Sequence, residues 1–380
     1  MNEKNILVLG AFGGVANAFL RLLSEKYKLK NKFILLDKKY SVELNLEKNY
    51  KGLNYECVKQ EIVLPEKENE YLDVLKNFEI SFVIDLTDMD SIPVLEATNR
   101  AGIPYLNTAM NDELKNTDDL VSYISENQKN ITNAAHIIGA GMNPGNVNVW
   151  VRNGIEKFGV PNEIIHFEYD DSMPVDGWRP IITWSPLEFL TESVYNPGGV
   201  VLGLNKVQKM LPNALKNLVD MEKLLSPVLR LETYPRGLPI VHEENVVLAN
   251  KYNIPSKFIY AIHPETILHM ERVYAEKGTV NLEDLVYGDN ANIPLVGKDF
   301  IGVILKYPNK DVYYYNFVEN KSMSGTNATC YQVGVGVLAA FLVQLGGLPN
   351  GIHFTNDLYE TDIFKYISEN LVTEEKVFFK

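Results

Sequence analysis

The chain has 380 residues, of which 46% are hydrophobic and 22% charged, and a formal net charge of −13 at pH 7. This composition is typical of a globular protein whose length suits two domains, and the acidic balance without a large basic cluster argues against nucleic acid as a partner. Only Cys57 and Cys330 occur, which excludes a disulfide framework and favours a cytoplasmic location.

Short apolar runs alternate with helical patterns in the first third of the chain. Continuous apolar runs of this length are typical of strands buried on both faces of a parallel sheet. The predicted strands are 5–10, 32–37, 80–87, 103–108 and 134–141, with helices predicted at 11–27 and 92–102. The alternation predicts an α/β fold that begins with a Rossmann domain, a doubly wound parallel sheet.

A glycine-containing loop joins the first predicted strand to the first helix. Gly10, Gly13 and Ala16 form a GxxGxxA variant of the dinucleotide fingerprint, with Phe12 where the commonest form has its second glycine. Gly10 permits the tight turn, and Gly13 lets backbone amides approach a pyrophosphate at the helix N-terminus. The predicted cofactor contacts in this loop are Gly10, Phe12, Gly13, Gly14 and Val15.

Asp37 ends the second predicted strand, where an acid can accept hydrogen bonds from the adenosine ribose of a dinucleotide. Its carboxylate would repel a 2′-phosphate and therefore favours NAD. Lys38 and Lys39 follow directly and are placed to meet such a phosphate instead, so NADP stays open as the alternative.

Three loops follow the later strands of the predicted sheet: "DLTDMDS" (85–91), "LNTAMND" (106–112) and "GAGMNPGN" (139–146). In doubly wound sheets the ligand binds beyond the carboxyl ends of the strands. Each of the polar residues alone is equally explained by helix capping or turn chemistry. Taken together, the polar residues predict that the three loops face the cofactor or the substrate. The predicted contacts are Thr87, Asp88, Thr108, Asn143 and Pro144.

From about residue 150 the pattern changes to strands separated by longer helical stretches. The predicted strands are 162–172, 256–265, 300–307 and 312–318, the last two joined by a hairpin-length loop. Antiparallel strands with helices between them predict an α+β substrate domain.

The predicted domains are a Rossmann domain at 1–150, a substrate and dimerisation domain at 151–325, and helices at 326–380 that return to the first domain. The most apolar long run, 333–348, is shorter than the roughly 20 residues of a membrane span and contains Gln344. It therefore predicts a buried helix. The N-terminus lacks the charged start and cleavage site of a signal peptide.

The stretch "ITWSPLEFLTE" (182–192) predicts a well-capped helix start. Ser185 suits the N-cap and Glu188 the capping-box position, while Trp184 and Phe189 are spaced for a hydrophobic staple. Glu192 lies one helical turn beyond Glu188 and has no capping role. An indole face near such a carboxylate is also a sensible site for an ammonium group, so local reasoning leaves both interpretations open.

Other common catalytic arrangements are absent from the sequence. The six histidines form no ligand pattern with cysteine or carboxylate, so no metal is predicted, and no GxSxG motif occurs. Hydride chemistry remains, because the cofactor carries it and the protein supplies orientation and acid–base groups.

Several segments, in order along nearly the whole chain, resemble bacterial homospermidine synthase, a member of the saccharopine-dehydrogenase-like group. They are "GAGMNPGNV", "FEYDDSMPVDGWRPIITWSPLEFLTESVYNPGGVVLG", "PIVHEENVVLANKY", "YAIHPE", "GKDFIGVIL" and "NATCYQVGVGVLAAFLVQLGGLPNGI". The resemblance implies that the active site is lined by Trp184, Glu192, His242, Asp299 and Asn143.

The resemblance also implies a reaction. NAD⁺ oxidises putrescine to an imine, a second diamine attacks, ammonia leaves, and the same NADH reduces the new Schiff base. Trp184 and Glu192 would hold the distal ammonium, and His242 and Asp299 would handle protons. A homodimer acting on a small diamine, with no membrane or nucleic acid partner, is expected.

The chain departs from the family in two places. Where the family has glutamate-proline-tryptophan after the aspartate-threonine strand end, this chain has "LNTAMNDEL", with Asn111 or Asp112 near the place of the glutamate. The acidic residue before the tryptophan motif is Glu168, Asp170 or Asp171. Asn111, Asp170 and Asp171 are predicted to bind substrate.

Two other functions remain compatible with the sequence. One is an NAD(P)H-dependent reductase of the saccharopine or carboxyspermidine type, which joins an amine to an oxo acid or semialdehyde. Its substrate carries carboxylates, for which Arg179 and Arg236 are available. The other is a catalytically silent NAD-binding regulatory protein.

Overall fold

The computed structural model describes residues 5–39, 50–112, 115–288, 293–323 and 325–380. The chain divides into two compact units. The first unit comprises residues 1–115, 122–149 and 331–370, and the second comprises 116–121, 150–330 and 371–380.

The elements follow one another in a largely alternating order. The strands are β1 Asn5–Leu9, β2 Lys32–Asp37, β3 Asn54–Lys59, β4 Ile80–Asp85, β5 Tyr105–Asn107, β6 Ala135–Ile138, β7 Glu163–Asp170, β8 Met173–Pro174, β9 Ile181–Ile182, β10 Gly198–Gly203, β11 Lys206–Met210, β12 Val219–Asp220, β13 Arg236–Ile240, β14 Ser256–Ile262, β15 Val286–Tyr287, β16 Leu295–Val296, β17 Lys298–Lys306, β18 Lys310–Glu319, β19 Gly351–Phe354 and β20 Glu374–Phe379. The helices are α1 Gly14–Lys26, α2 Glu68–Asn77, α3 Ser91–Arg100, α4 Thr117–Asn127, α5 Asn146–Phe158, α6 Pro186–Leu190, α7 Glu222–Leu225, α8 Glu243–Tyr252, α9 Pro264–Lys277, α10 Ala328–Gly346 and α11 Ile363–Ser368.

The first unit contains a seven-stranded sheet in the order β19-β6-β5-β4-β1-β2-β3. Every pairing in it is parallel. This is the doubly wound order with one strand added at the edge, so the predicted fold class is confirmed. The sequence did not predict the edge strands β3 and β19, whose residues are mostly half-buried or exposed and give no continuous apolar run.

Helix α10 packs into the first unit through its small residues. A Cβ on Gly334 would lie 2.8 Å from Cβ of Ala18, and one on Gly336 would lie 1.9 Å from the carbonyl oxygen of Gly141. Phe341 stacks on Phe82 with ring centroids 5.7 Å apart. By length and composition α10 could cross a membrane, but 72% of its most apolar window is buried within the protein, as the sequence predicted for a core helix.

The second unit is built on a nine-stranded sheet in the order β11-β10-β14-β7-β17-β18-β20, with β13 pairing β12 and β14. Its pairings are antiparallel except that between β7 and β14, which is parallel. The expectation of purely antiparallel strands is therefore wrong at this pair. The long connection between these two strands, which includes α6, α7 and α8, permits a parallel crossover.

The two faces of this sheet have different chemistry. On one face, Phe167 and Phe300 pack with Met221 and Leu225 in an apolar cluster. Strand register fixes the opposite face, because Tyr260 pairs with Glu168 and Asp299 with Asp170, and paired residues share a face. This second face is buried and carries His166 and these acids beside the apolar side chains of Phe258 and Ile262.

Candidate active site

The glycine loop of the first unit has the geometry of a dinucleotide cradle. Gly10 has φ of +70°, and a Cβ there would lie 2.5 Å from the carbonyl oxygen of Leu86. The amide of Gly13 donates to the carbonyl of Gly10 at 3.1 Å, and Gly13 caps α1. Gly14 and Val15 form the first turn of that helix, and a helix N-terminus favours a phosphate group.

Asp37 lies beside this loop at the end of β2. Its Oδ2 accepts a hydrogen bond from the amide of Phe12 at 3.1 Å, and its Oδ1 accepts one from the amide of Lys39 at 2.8 Å. The carboxylate is therefore held where the ribose of a bound dinucleotide is expected. The neighbouring Lys38 pairs with Glu61 at 3.8 Å.

A buried carboxylate organises the loop after β4. Asp85 accepts hydrogen bonds from the Thr87 hydroxyl (2.6 Å), the Thr87 amide (3.1 Å) and the Tyr105 hydroxyl (2.8 Å). Burial raises the pKa of Asp85, and these donors oppose that effect. Thr87 is thus fixed by Asp85, while Asp88 is exposed on the same loop. Sequence reasoning did not single out Asp85, although an acid ending a buried strand was a usable signal.

The loop after β6 carries the side-chain amide of Asn143, which stands out among the described residues. Both polar side-chain atoms of Asn143 are buried and have no hydrogen-bond partner among the described residues. The next residue, Pro144, accepts a hydrogen bond at its carbonyl from the amide of Gly141 at 2.9 Å. The carbonyl of Thr108 lies 3.2 Å from the position of a Cβ on Gly141. Buried amides are normally satisfied, so Asn143 fits a place that a ligand fills.

The residues near the missing family glutamate have protein partners. The amide of Asn111 donates to Oγ of Ser91 at 2.9 Å, and its Nδ2 donates to the carbonyl of Thr87 at 3.4 Å. Asp112 pairs with Nζ of Lys115 at 2.7 Å. The predicted substrate role of Asn111 therefore stays a prediction for a side chain that ties two loops together.

The helix start in the second unit forms as its sequence predicts. Oγ of Ser185 accepts a hydrogen bond from the amide of Glu188 at 3.4 Å. The Trp184 and Phe189 rings meet edge to face, with centroids 6.2 Å apart and an interplanar angle of 89°. The predicted N-cap at Ser185 and the predicted hydrophobic staple are confirmed, and the capping-box role of the Glu188 side chain stays a prediction.

The helix then changes its winding. Residues Thr191–Tyr195 form a π turn, closed by a hydrogen bond from the amide of Asn196 to the carbonyl of Thr191 at 2.9 Å. Glu192 therefore lies in the π turn that directly follows the predicted helix start. Single π turns are frequent at functional sites, and this one carries Glu192.

A row of aromatic rings leads from Trp184 to His242. The indole Nε1 of Trp184 donates to the hydroxyl of Tyr260 at 3.1 Å. Tyr260 stacks on Phe258 with centroids 5.9 Å apart, and Phe258 meets the His242 ring edge to face at 5.5 Å. These contacts fix the orientation of the indole.

Three carboxylates on the same face of the sheet act electrostatically on the Tyr260 phenol. Burial raises the pKa of Tyr260 well above its usual value, and the charges of Glu168, Asp170 and Asp299 raise it further. The phenol therefore stays protonated, and all three acids are themselves buried. Their shared face is an acidic environment suited to a cation.

The candidate acids before the tryptophan motif differ in their surroundings. Asp170 accepts hydrogen bonds from the Thr183 hydroxyl at 2.6 Å and the Ser172 amide at 2.9 Å. Asp171 accepts one from the amide of Lys298 at 2.6 Å and so fastens the start of β17. Of the three candidates, Glu168 and Asp170 lie on the face of Tyr260.

His242 is held between carboxylates. Its Nε2 lies 3.3 Å from Oε1 of Glu192, and its Nδ1 lies 2.5 Å from Oε2 of Glu244 and 3.1 Å from Oε2 of Glu243. Burial lowers the pKa of His242, but Glu244, Glu243 and Glu192 outweigh that effect and hold it well above its usual value. The imidazole is therefore charged at neutral pH.

The ligand-type atoms of His242, Glu243 and Glu244 lie within 4.8 Å of one another, a spacing that a metal site would share. Nδ1 is already within hydrogen-bond distance of Glu244, as in a protonated histidine–carboxylate pair. We therefore interpret the cluster as an ion pair.

A small cavity gives access to Glu192. It is lined by Asn116, Asp118, Asn196 and Lys209, among others, together with Glu192 itself, and its volume is about 20 Å³. That is room for about one molecule of the size of water. The Glu192 side chain is 15% exposed, so a small cationic group can reach its carboxylate.

The fold of the whole chain matches that of a solved structure. Among solved structures, the chain is similar to the homospermidine synthase of Legionella pneumophila in complex with NAD. The TM-score is 0.78 at 16% sequence identity, and the match covers 100% of this chain and 92% of that chain. The fold is that of homospermidine synthase.

Residues 6–140 match the family model of the saccharopine dehydrogenase NADP binding domain. The first unit of this homospermidine synthase fold is therefore a nicotinamide-dinucleotide-binding domain, the cofactor domain of an oxidoreductase. The predicted resemblance is confirmed at the level of the fold, and the predicted cofactor binding is confirmed.

A second solved structure and the curated protein sequences show much weaker similarity to this chain. The amine dehydrogenase of Mycobacterium smegmatis aligns over 94% of this chain and 96% of that chain at 10% identity, with a TM-score of only 0.43. No curated protein sequence matches the chain significantly.

His166, on the face of the sheet that carries Tyr260, makes the free energy of unfolding depend on pH. It is fully buried with no hydrogen-bond partner for either ring nitrogen among the described residues, and burial lowers its pKa to about 3. Because this is below the unfolded value of about 6.5, the unfolded chain binds the extra proton first, and stability falls as pH drops below 6.5.

The substitution His166→Leu should remove this loss of unfolding free energy at acidic pH. Between pH 7.5 and pH 5.0 the His166 contribution amounts to about 2 kcal/mol of unfolding free energy. Urea unfolding at both pH values should show His166→Leu losing about 2 kcal/mol less than the parent protein. An equal loss in both proteins would show that His166 is not buried in its neutral form.

Proposed function

We propose that this protein is a homospermidine synthase-like aminobutyl transferase acting on putrescine. The observation that carries the proposal is a buried face of the second unit, where Glu168, Asp170 and Asp299 share the face of Tyr260, whose hydroxyl accepts from Trp184. Carboxylates and an oriented indole are complementary to an alkylammonium group.

The charge of the substrate is the main point that separates this proposal from an oxo-acid reductase. A carboxylate substrate would call for available arginines. Arg179 instead forms a bidentate pair with Asp176 at 2.6 and 2.8 Å, and Arg236 forms one with Glu271 at 2.5 and 3.0 Å. Both pairs are exposed. The buried face carries acids, which supports an amine.

Residues of the first unit would hold the dinucleotide. The glycine loop from Gly10 to Gly13 fits the pyrophosphate, and Asp37 fits the adenosine ribose and favours NAD over NADP. When bound, the nicotinamide would take a hydride from the carbon beside the amine and later return it. Two putrescine molecules thus give homospermidine and ammonia with no net redox change.

Glu192 would bind the charged end of the substrate, and His242 would transfer protons. The Glu192 carboxylate, beside the small cavity, receives the distal ammonium of the substrate. The leaving nitrogen must gain a proton and the attacking ammonium must lose one, so a side chain that can donate a proton and later regain it is needed. His242, paired with Glu192 at 3.3 Å, is the group that we assign to this task, with Asp299 as a second acid on the sheet face.

The test is incubation of the purified protein with NAD⁺ and putrescine, followed by mass spectrometry and an ammonia assay. Homospermidine and ammonia in equal amounts, without NADH accumulation, are expected. NADPH-dependent turnover of an amine with an oxo acid, and none with diamines, would overturn the proposal. Bound dinucleotide without any turnover would indicate a regulatory protein.

The role of Trp184 is tested by two substitutions. Trp184→Ala removes the aromatic face and the hydrogen bond to Tyr260, and should reduce kcat/KM for putrescine by roughly 100-fold, on the order of 2–3 kcal/mol. Trp184→Phe keeps a ring and should lose less. The affinity for NAD⁺, measured by calorimetry, should not change. Full activity in the alanine variant would refute the assigned role.

A further inference from the structure

A buried glutamate that no motif drew attention to lies behind His242. Glu244 is 0% exposed, and its Oε2 lies 2.5 Å from Nδ1 of His242, on the side of the ring opposite to Glu192. An ionised carboxylate accepts hydrogen bonds and donates none. Burial raises the pKa of Glu192 and of Glu244, and the charge of His242 lowers both. With both carboxylates ionised, the ring between them carries a proton on each nitrogen.

Glu244 is itself held in place. With its amide oriented to satisfy both neighbours, Asn245 donates to Oε1 of Glu244 at 3.1 Å and accepts from the amide of Phe258 at 2.9 Å. Glu244 also lies in the first turn of α8, where the helix dipole favours an anion. The Phe258 ring contacts His242 at 5.5 Å, so one short segment of β14 supports both residues.

The titratable groups near His242 come from three elements. Glu192 lies on the π turn, Glu243 and Glu244 lie on α8, and His166 lies on β7. His166 is neutral at physiological pH because burial lowers its pKa to about 3. The net charge around the ring is thus negative, and of the two contacts to Nδ1 the one to Glu244 is the shorter.

From this geometry we propose that Glu244 is a positioning residue that keeps His242 doubly protonated and turned toward Glu192, so that His242 enters the reaction as a proton donor. The mechanistic part rests on the proposed function. His242 protonates the amino group that leaves as ammonium, and the neutral imidazole then takes the proton that the next diamine must lose before it can react, so the cycle balances. A neutral imidazole, by contrast, would act first as a base.

The protonation state can be measured without any turnover. Nitrogen-15 spectra of the histidine-labelled protein, which has six histidines, report which ring nitrogens carry protons. We expect His242 to be an imidazolium at pH 8 in the parent protein. In Glu244→Gln, which keeps size and removes charge, the pKa should fall. Each unit of that fall reduces the imidazolium population above the pKa about tenfold.

Glu243→Gln is the matched comparison, because Glu243 is the neighbouring buried acid on the same helix with the longer contact of 3.1 Å. It should shift the His242 pKa less than Glu244→Gln does. A neutral His242 at pH 7 in the parent protein would overturn the proposal, whatever the folding of the variants. So would a His242 pKa that is the same in Glu244→Gln and the parent.

The kinetic consequence follows if diamine turnover is found. The basic limb of the kcat/KM profile should move to lower pH in Glu244→Gln, while the KM for NAD⁺ stays unchanged. An unmoved basic limb would contradict the donor role. Absence of turnover in the parent protein would count against the proposed function alone, since the spectra still report on Glu244 and His242.

Discussion

Glutamine in place of Glu192 is expected to lower kcat/KM for putrescine by at least about 100-fold, which corresponds to about 2.7 kcal/mol. The substitution removes the carboxylate that pairs with Nε2 of His242 at 3.3 Å and that would receive the substrate ammonium. Removing one partner of a buried charge pair costs about 2–5 kcal/mol, because the other charge is left buried alone. Steady-state kinetics with putrescine measure the effect.

Glu188→Gln is the matched control for this experiment. Glu188 lies in the same helix start, where its amide donates to Ser185 at 3.4 Å, and it has only a capping role in our interpretation. Its substitution should cost at most about 1 kcal/mol of stability and leave turnover intact. If both variants lose activity equally, the effect comes from the helix and not from the Glu192 carboxylate.

Alanine in place of Gly10 is expected to abolish dinucleotide binding and to destabilise the first unit. The residue has φ of +70°, which costs an alanine about 1–2 kcal/mol. The added Cβ would also lie 2.5 Å from the carbonyl oxygen of Leu86 and 3.2 Å from Cγ2 of Thr87, so the loop after β4 would have to move. Calorimetry with NAD⁺ and urea unfolding measure the two effects.

Gly102→Ala separates backbone strain from crowding. Gly102 has nearly the same φ, +69°, but a Cβ there would meet nothing within 4 Å. This variant should lose about 1–2 kcal/mol of stability and keep its affinity for NAD⁺. Retained NAD⁺ binding in Gly10→Ala would show that the loop does not cradle the dinucleotide as we describe.

The sequence by itself determined the features that depend on local interactions. The apolar runs of β1, β2 and β4 predicted a doubly wound sheet because a strand covered on both faces needs apolar residues at every position. The glycine loop was predictable because a left-handed turn restricts the residue type. Ser185 and its staple were predictable since capping involves only residues near in sequence.

Only the tertiary structure determined which acidic side chains lie close to His242 and to Tyr260. The contact of Glu192 with His242, and the placing of Glu168, Asp170 and Asp299 around Tyr260, depend on strand register and on the π turn at Thr191–Tyr195. Shifting a strand by one residue would turn these side chains to the other face. Glu244 gave no sequence signal, because a glutamate after a histidine is ordinary until burial removes water from both and makes their pairing strong.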